Sequence, residues 1–218
     1  MRLHFKTTPS AKPIPFNYQE LLTGTIHKWL GQNQEHGLVS LYSFSWLYNG
    51  KKVDNGLNFE KGTAFFFSCH DRELIKRLVN GIFESPQMFC GLSVTELCIQ
   101  EDPDFSRREL FFAASPIFIK RRDGEKVNFL TYRDPQANHC LEETMLTKLK
   151  SAGINENGFH ISFDTTYKKA KTKLVNYNGI NNKASLCPVI IKGSNQLKQF
   201  AWNVGLGNST GIGFGAIE

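Results

Sequence analysis

The chain has 218 residues, 40% of them apolar and 18 of them phenylalanine, which is material for one large domain or two small ones and excludes a disordered protein. No apolar run is long enough to span a bilayer, and Met1 to Phe5 lead straight into polar, proline-containing sequence, so neither a membrane span nor a secretory leader is expected. The formal charge of +6 is lopsided: residues 1–164 hold 19 Lys+Arg against 19 Asp+Glu, whereas 165–217 hold seven lysines and no acid. A surface of one sign suits a phosphate chain.

Arg2 to Thr7 alternates in character and reads as a first strand, broken by Pro13 and Pro15. From Asn17 to about Gln34, Leu21, Leu22, Ile26, Trp29 and Leu30 recur at helical spacing, with Asn17 as cap. Val39 to Tyr48 suits a strand, Asn49-Gly50 a turn, and Thr63 to Ser68 another strand. Asp71 to Phe83 is the clearest helix, capped by Asp71 and lined by Leu74, Leu78, Ile82 and Phe83. Leu92 to Gln100 closes a βαββαβ order.

Pro103 and the charged residues around Arg107 mark a junction, after which the order restarts. Leu110 to Ile119 reads as a strand ending in a basic turn, Lys120 to Gly124. His139 to Lys150 reads as a helix, with Leu141, Met145 and Leu149 at spacing four. Phe159 to Tyr167 and Ala184 to Lys192 read as strands, with a lysine-rich hairpin between them. Asn195 to Val204 is a short helix, and Ile212 to Ile217 a last strand. The fold class expected is α+β: two tandem ferredoxin-like (βαββαβ) modules, residues 1–103 and 104–218, closed by a glycine-rich loop.

The five cysteines, at 69, 90, 98, 140 and 187, show no CxxC spacing and read as reduced thiols of a cytoplasmic protein. Cys69-His70 is one adjacent pair without a partner pair, so no metal site is expected. The run Gly205-Leu-Gly-Asn-Ser-Thr-Gly-Ile-Gly-Phe-Gly215 is not a Walker loop, since no Gly-Lys-Ser/Thr follows, and it does not open a helix after a strand. No cofactor is expected. Its glycines have two readings, tight turns with a close approach to the first helix, or backbone amides offered to phosphates; the two are compatible.

Val204 to Ile217 resembles the glycine-rich signature closing the repeat-associated RNA-binding proteins (the RAMP superfamily) of CRISPR systems. Within that superfamily the chain is most similar to the Cas six endoribonucleases. Thr23-Gly-Thr-Ile-His27 resembles their first helix, Leu78-Val-Asn-Gly81 the end of the second, Ser115-Pro-Ile117 the first strand of the second module, and Leu197 to Gly207 the run into the glycine loop. The resemblance implies a metal-independent cut within CRISPR repeat RNA. The substrate's own 2′-hydroxyl is the nucleophile, and a 2′,3′-cyclic phosphate and a 5′-hydroxyl are the products. It also leaves the alternative of a non-catalytic crRNA-binding subunit of an effector complex. A general RNA-binding protein unrelated to CRISPR is a third, weaker reading. The partner expected is pre-crRNA; effector-complex subunits and a homodimer stay open, and no membrane partner is expected.

The cut needs a base, an acid and cations, and histidine serves either proton role near neutral pH. The resemblance places His27 where family members carry a catalytic Tyr or His; its bland reading is a half-exposed helix histidine. His36 follows in a polar loop where a second histidine is frequent in the family, against a solvated loop residue as the alternative. The frequent active-site lysine has no counterpart, since Ser40 or Leu41 falls there; Lys28, Lys51 and Lys52 are substitutes in principle, and His27 with Tyr42 is another arrangement. His4, His70, His139 and His160 are expected to be structural or exposed.

For RNA binding the candidates are Lys168, Lys169, Lys171 and Lys173 in the basic hairpin, with Tyr167 and Tyr177 at its edges, Arg121 and Arg122 beside Lys120, Lys192, and Gly205, Gly207, Gly211 and Gly213. The bland reading of the lysines is a solvated strand edge that resists pairing, but ordinary surfaces mix signs. Single-stranded RNA would add aromatic stacking.

Overall fold

The computed structural model describes residues 1–31 and 39–218. The first half runs β1 (Arg2–Thr7), α1 (Gln19–Leu30), β2 (Tyr42–Phe44), β3 (Lys51–Val53), β4 (Gly56–Asn58), β5 (Ala64–Cys69), α2 (Arg72–Glu84) and β6 (Val94–Gln100). Its antiparallel sheet has the order β2-β5-β1-β6, with β3 and β4 a separate hairpin. Alternation along β1 and β5 sends Leu3, Phe5, Phe65 and Phe67 into a core with Leu22, Ile26 and Trp29 of α1 and Leu74, Leu78 and Ile82 of α2. Phe5 stacks on Phe65 at 4.4 Å and on Trp29 at 6.0 Å. The two helices touch at Gly81, where a Cβ would sit 2.1 Å from the Trp29 carbonyl oxygen, so no larger residue fits.

The second half runs β7 (Leu110–Phe111), β8 (Ile119–Asp123), β9 (Lys126–Leu130), α3 (Ala137–Ser151), β10 (His160–Phe163), β11 (Lys171–Tyr177), β12 (Ile180–Leu186), β13 (Val189–Lys192), α4 (Asn195–Val204) and a 3₁₀ turn, Thr210–Ile212. Its sheet has the order β10-β13-β7, while β8-β9 and β11-β12 are hairpins. A second core gathers Phe111, Leu141, Met145, Leu149, Ile161, Val189, Ile191, Leu197, Phe200 and Trp202. The molecule is therefore two tandem ferredoxin-like modules, each with its own core.

Elements with strong local signals form where the sequence puts them. Asp71 caps α2 by accepting from the Glu73 amide at 2.9 Å, and Ser194 caps α4 by accepting from Leu197 at 3.1 Å. The first helix differs: it starts at Gln19 after Tyr18, not on an Asn17 cap, and stops at Gly31 (φ 68°), whose amide returns to His27 and Lys28.

Three expected strands are cut short by tertiary partners. Residues 39–48 form a regular strand only over Tyr42–Phe44: Ser45 and Tyr48 still donate to Phe66 and Ala64, but between them Trp46 turns to donate its amide to Ala114 and its indole N–H to Gly213. The expected strand 110–119 ends at Phe111; Pro116 cannot donate to a ladder, and Ile117 pairs instead with Ser185. The expected basic turn 120–124 is mostly strand, with Lys120 opposite Phe129 in the β8-β9 hairpin. Ile212–Ile217 is not a strand: Gly213 (φ 83°) and Gly215 (φ 71°) leave the extended region, and only a bridge between Ala113 and Ile217 remains. The lysine-rich hairpin exists, but its second strand begins at Ile180, and Cys187-Pro188 separate it from β13.

One side chain fastens the modules together. Arg2 is 3% exposed, its guanidinium 3.6 Å from the Phe66 ring centre and 3.5 Å from that of Trp202. It donates to Ser68 at 2.6 Å, to the Ile217 carbonyl at 2.7 Å and to the Trp202 carbonyl at 3.2 Å.

Candidate functional site

The glycine segment is interior, not a solvent loop. Gly205, Gly207, Gly211, Gly213 and Gly215 are all buried between the two modules. Gly205, Gly213 and Gly215 give their amides to the carbonyls of Ala201, Thr210 and Pro116. The contacts explain the residue type at two positions. At Gly213 a Cβ would lie 1.8 Å from the Gln19 amide nitrogen and 2.7 Å from Phe44, with φ at 83°. At Gly215 it would lie 1.9 Å from the Leu206 carbonyl oxygen.

This burial sets the segment against α1. Gln19 donates to the Ile212 carbonyl at 2.7 Å and Thr23 to the same oxygen at 3.3 Å. One helical turn further on from Thr23, His27 Nε2 lies 3.3 Å from the Gly211 carbonyl oxygen and 3.3 Å from the Tyr42 hydroxyl. The Tyr42 hydroxyl in turn lies 3.4 Å from the same Gly211 oxygen. His27 is half-buried on the rim of α1; Tyr42 is buried against Phe67. The two partners of Nε2 ask opposite things of it: protonated, it donates to Gly211, and unprotonated, it accepts from Tyr42. The imidazole can thus hold or release a proton at that atom with a partner in either state. His27, Tyr42 and Gly211 are brought together; His36 lies outside the described residues.

The other histidines are placed elsewhere. His4 meets Gln100 at 2.6 Å, His70 packs edge-on against Phe200 at 5.1 Å, and His139 and His160 pair with Glu143 and Glu142 at 3.3 and 2.7 Å. Two of the three substitute lysines have other partners, Lys28 with Ser85 and the Gln87 carbonyl and Lys51 with Glu60 at 3.2 Å, and Lys52 is exposed on β3.

Behind the glycine segment, on the α3 side, is a cleft of about 620 Å³ lined by Ser40, Arg121, Thr144, Lys148, Asn208 and Thr210 among others. Arg121 is engaged there, donating to the Cys140 carbonyl at 2.7 Å and to Glu143 at 3.0 Å. Arg122 and Lys192 are exposed on their strands. Lys148 went unnoticed in the sequence; it is a fully enclosed cation beneath the segment, and burial pushes its ammonium down to about 7. The signal was there, because Lys148 stands three residues from Met145 and seven from Leu141 and so falls on the apolar stripe of α3.

Lys168, Lys169, Lys171 and Lys173 are exposed along the entry to β11 and on that strand. The hairpin docks on α1, where Glu20 accepts from the Asn178 amide. Lys173 lies 5.9 Å from the Trp46 ring centre. The basic strand thus runs beside the helix that carries His27. One lysine of the acid-free stretch is spent inside the fold: Lys198 is 3% exposed and donates to the Phe105 carbonyl at 3.2 Å.

Residues 100–218 match the family model described as "CRISPR associated protein Cas6, C-terminal". The chain belongs to the Cas6 family. Cas6 proteins process or bind CRISPR RNA. No curated protein sequence matches this chain. Among solved structures it is similar to the product of a Cas6-related gene from Pyrococcus furiosus, at 22% identity and a TM-score of 0.83, covering 100% of this chain and 97% of that one. It is also similar to a RAMP protein binding different RNA substrates, at 20% identity and a TM-score of 0.84, covering 100% and 98%. A CRISPR-associated protein Cas6 superposes at 19% identity and a TM-score of 0.85, again covering 100% and 98%. At these identities the likeness is one of fold, and it holds over both modules of the Cas6 chain. No helix among the described residues is long and apolar enough to cross a membrane.

Proposed function

We propose that this Cas6 protein is a metal-independent endoribonuclease that cuts CRISPR repeat RNA in precursor transcripts. The observation that carries the proposal is the convergence of His27 Nε2, the Tyr42 hydroxyl and the Gly211 carbonyl within 3.3–3.4 Å of one another at the module junction. A base removes the proton of the 2′-hydroxyl upstream of the scissile phosphate, and that oxygen attacks phosphorus. The P–O5′ bond breaks, and an acid gives its proton to the departing 5′-oxygen, leaving a 2′,3′-cyclic phosphate and a 5′-hydroxyl. His27 takes one of the two proton roles, with Tyr42 orienting it. The lysines of the hairpin, Lys168 to Lys173, together with Arg122 and Lys192, hold the RNA backbone; Arg121 and Gly205, Gly207, Gly211 and Gly213 shape the cleft wall between residues 1–103 and 104–218.

The test is cleavage of a labelled repeat RNA in EDTA, with ribose or deoxyribose upstream of the cut. Cutting of the ribose substrate alone, with a cyclic-phosphate end, is expected. Loss of activity in EDTA would remove the metal-free mechanism.

A second reading has its own support. Lys28 and Lys51 are committed to other partners, so neither is offered to the phosphorane in place of the lysine frequent in the family. A RAMP-type subunit that binds crRNA without cutting it fits that arrangement, and it predicts tight binding of both RNAs with no product from either.

A further inference from the structure

Lys148 is 3% exposed, and its Nζ lies 3.0 Å from the Val204 carbonyl oxygen, 3.0 Å from that of Gly205 and 3.3 Å from Thr210 Oγ1. An ammonium has three protons to donate and nothing to accept with; here it meets three acceptors. All are neutral. The nearby acid, Glu143 at the mouth of the same cleft, is paired with Arg121. His27 and Tyr42 meet the carbonyl of the residue after Thr210, Gly211. Burying a cation among uncharged groups is costly, so the site favours one geometry over general stability.

That geometry is informative. Val204 and Gly205 are the end of α4, where unpaired helix carbonyls attract a cation. Thr210 opens the 3₁₀ turn, and its hydroxyl lies 3.4 Å from the Ser40 carbonyl oxygen. One ammonium therefore ties both ends of the bend 204–210 to α3. Through Thr210 it reaches Ser40, two residues before Tyr42, and Gly211 follows Thr210 directly.

We propose that Lys148 is a positioning residue that pins the glycine segment to α3 so that Gly211 meets His27 and Tyr42. The catalytic consequence rests on the nuclease reading above; the pinning itself does not. With its ammonium pushed down to about 7 by burial, the third donor is present below that pH and lost above it. The bond to Thr210 then weakens, while two protons remain for Val204 and Gly205.

The experiment uses the full chain in two arms. In the first, ¹⁵N-glycine spectra are followed from pH 6 to pH 9 in a His27→Gln background, which removes the imidazole's own titration. Gly205 and Gly211 are expected to shift together with a midpoint near 7, and Lys148→Met to abolish the shift. Gly205 and Gly211 resonances that coincide at pH 6 in the native protein and in Lys148→Met, or in Lys148→Gln should the first not fold, overturn the proposal whatever the midpoint of the titration. In the second, amide exchange across 205–215 is expected to quicken about tenfold or more in Lys148→Met and to slow again in Lys148→Arg; unchanged exchange overturns the proposal. If the native protein cuts repeat RNA, kcat for Lys148→Met should fall about tenfold with KM within twofold, and an unaltered kcat overturns the positioning role. If the native protein does not cut at all, the nuclease reading fails and the two spectroscopic arms still decide the pinning.

Discussion

At the residue scale the molecule separates the side chain that would move a proton from those that hold it in place. His27→Ala is expected to keep repeat binding while slowing single-turnover cleavage by about 10²–10⁴-fold, the range for a general acid–base group; activity within twofold of native would take His27 out of the site. Tyr42→Phe keeps the buried ring beside Phe67 but removes the hydroxyl 3.3 Å from Nε2, and should cost about 1 kcal/mol of stability. A larger loss of rate than of binding would show that the hydroxyl acts on the imidazole. Lys148 makes a separate prediction by linkage. Its pKa of about 7 in the fold lies below the 10.5 of the unsheltered group, so between these values the unfolded chain binds more protons. Stability therefore rises with pH across that window. Urea midpoints at pH 6.5 and pH 9.5 should differ less for Lys148→Met than for the native chain.

At the element scale, legibility tracked how local the cause was. The helices α2 and α4 were readable because Asp71 and Ser194 cap them within three residues of sequence. The stretches 39–48, 110–119 and 212–217 were misread because Trp46, Ile117 and Gly213 are committed to partners more than 60 residues away, and no window of local pattern contains those partners. The lysine hairpin was readable in composition but not in position. Only the tertiary packing shows that the hairpin tip reaches Glu20 on the helix that carries His27, with Lys173 beside Trp46. Replacing Lys168, Lys169, Lys171 and Lys173 together by Ala should reduce the slope of log affinity against log salt by up to about 3, at about 0.7 for each single-strand phosphate released. A slope unchanged in that variant would place the RNA elsewhere.

At the scale of the whole molecule, the two modules are held in register by contacts that include a deeply placed cation. Arg2→Ala removes a guanidinium sandwiched between Phe66 and Trp202 and strips partners from Ser68 and the Ile217 carbonyl. A loss of about 1–3 kcal/mol is expected from leaving those buried polar groups without their donor; equilibrium urea unfolding measures it, and an unchanged urea midpoint would deny Arg2 that role. The sequence alone determined the family resemblance, the doubled βαββαβ order and the charge asymmetry, because each is carried by neighbouring residues or by residue type, and the resemblance in turn nominated His27 as a candidate. Tertiary structure alone decided that the glycine-rich segment is an interior wedge. Its positive-φ glycines are demanded at Gly213 by Gln19 and Phe44, which approach from distant parts of the chain, and at Gly215 by Leu206 across the bend. It alone decided, too, that Lys148 lies beneath that wedge, since a buried cation becomes visible only when the acceptors that surround it have been assembled.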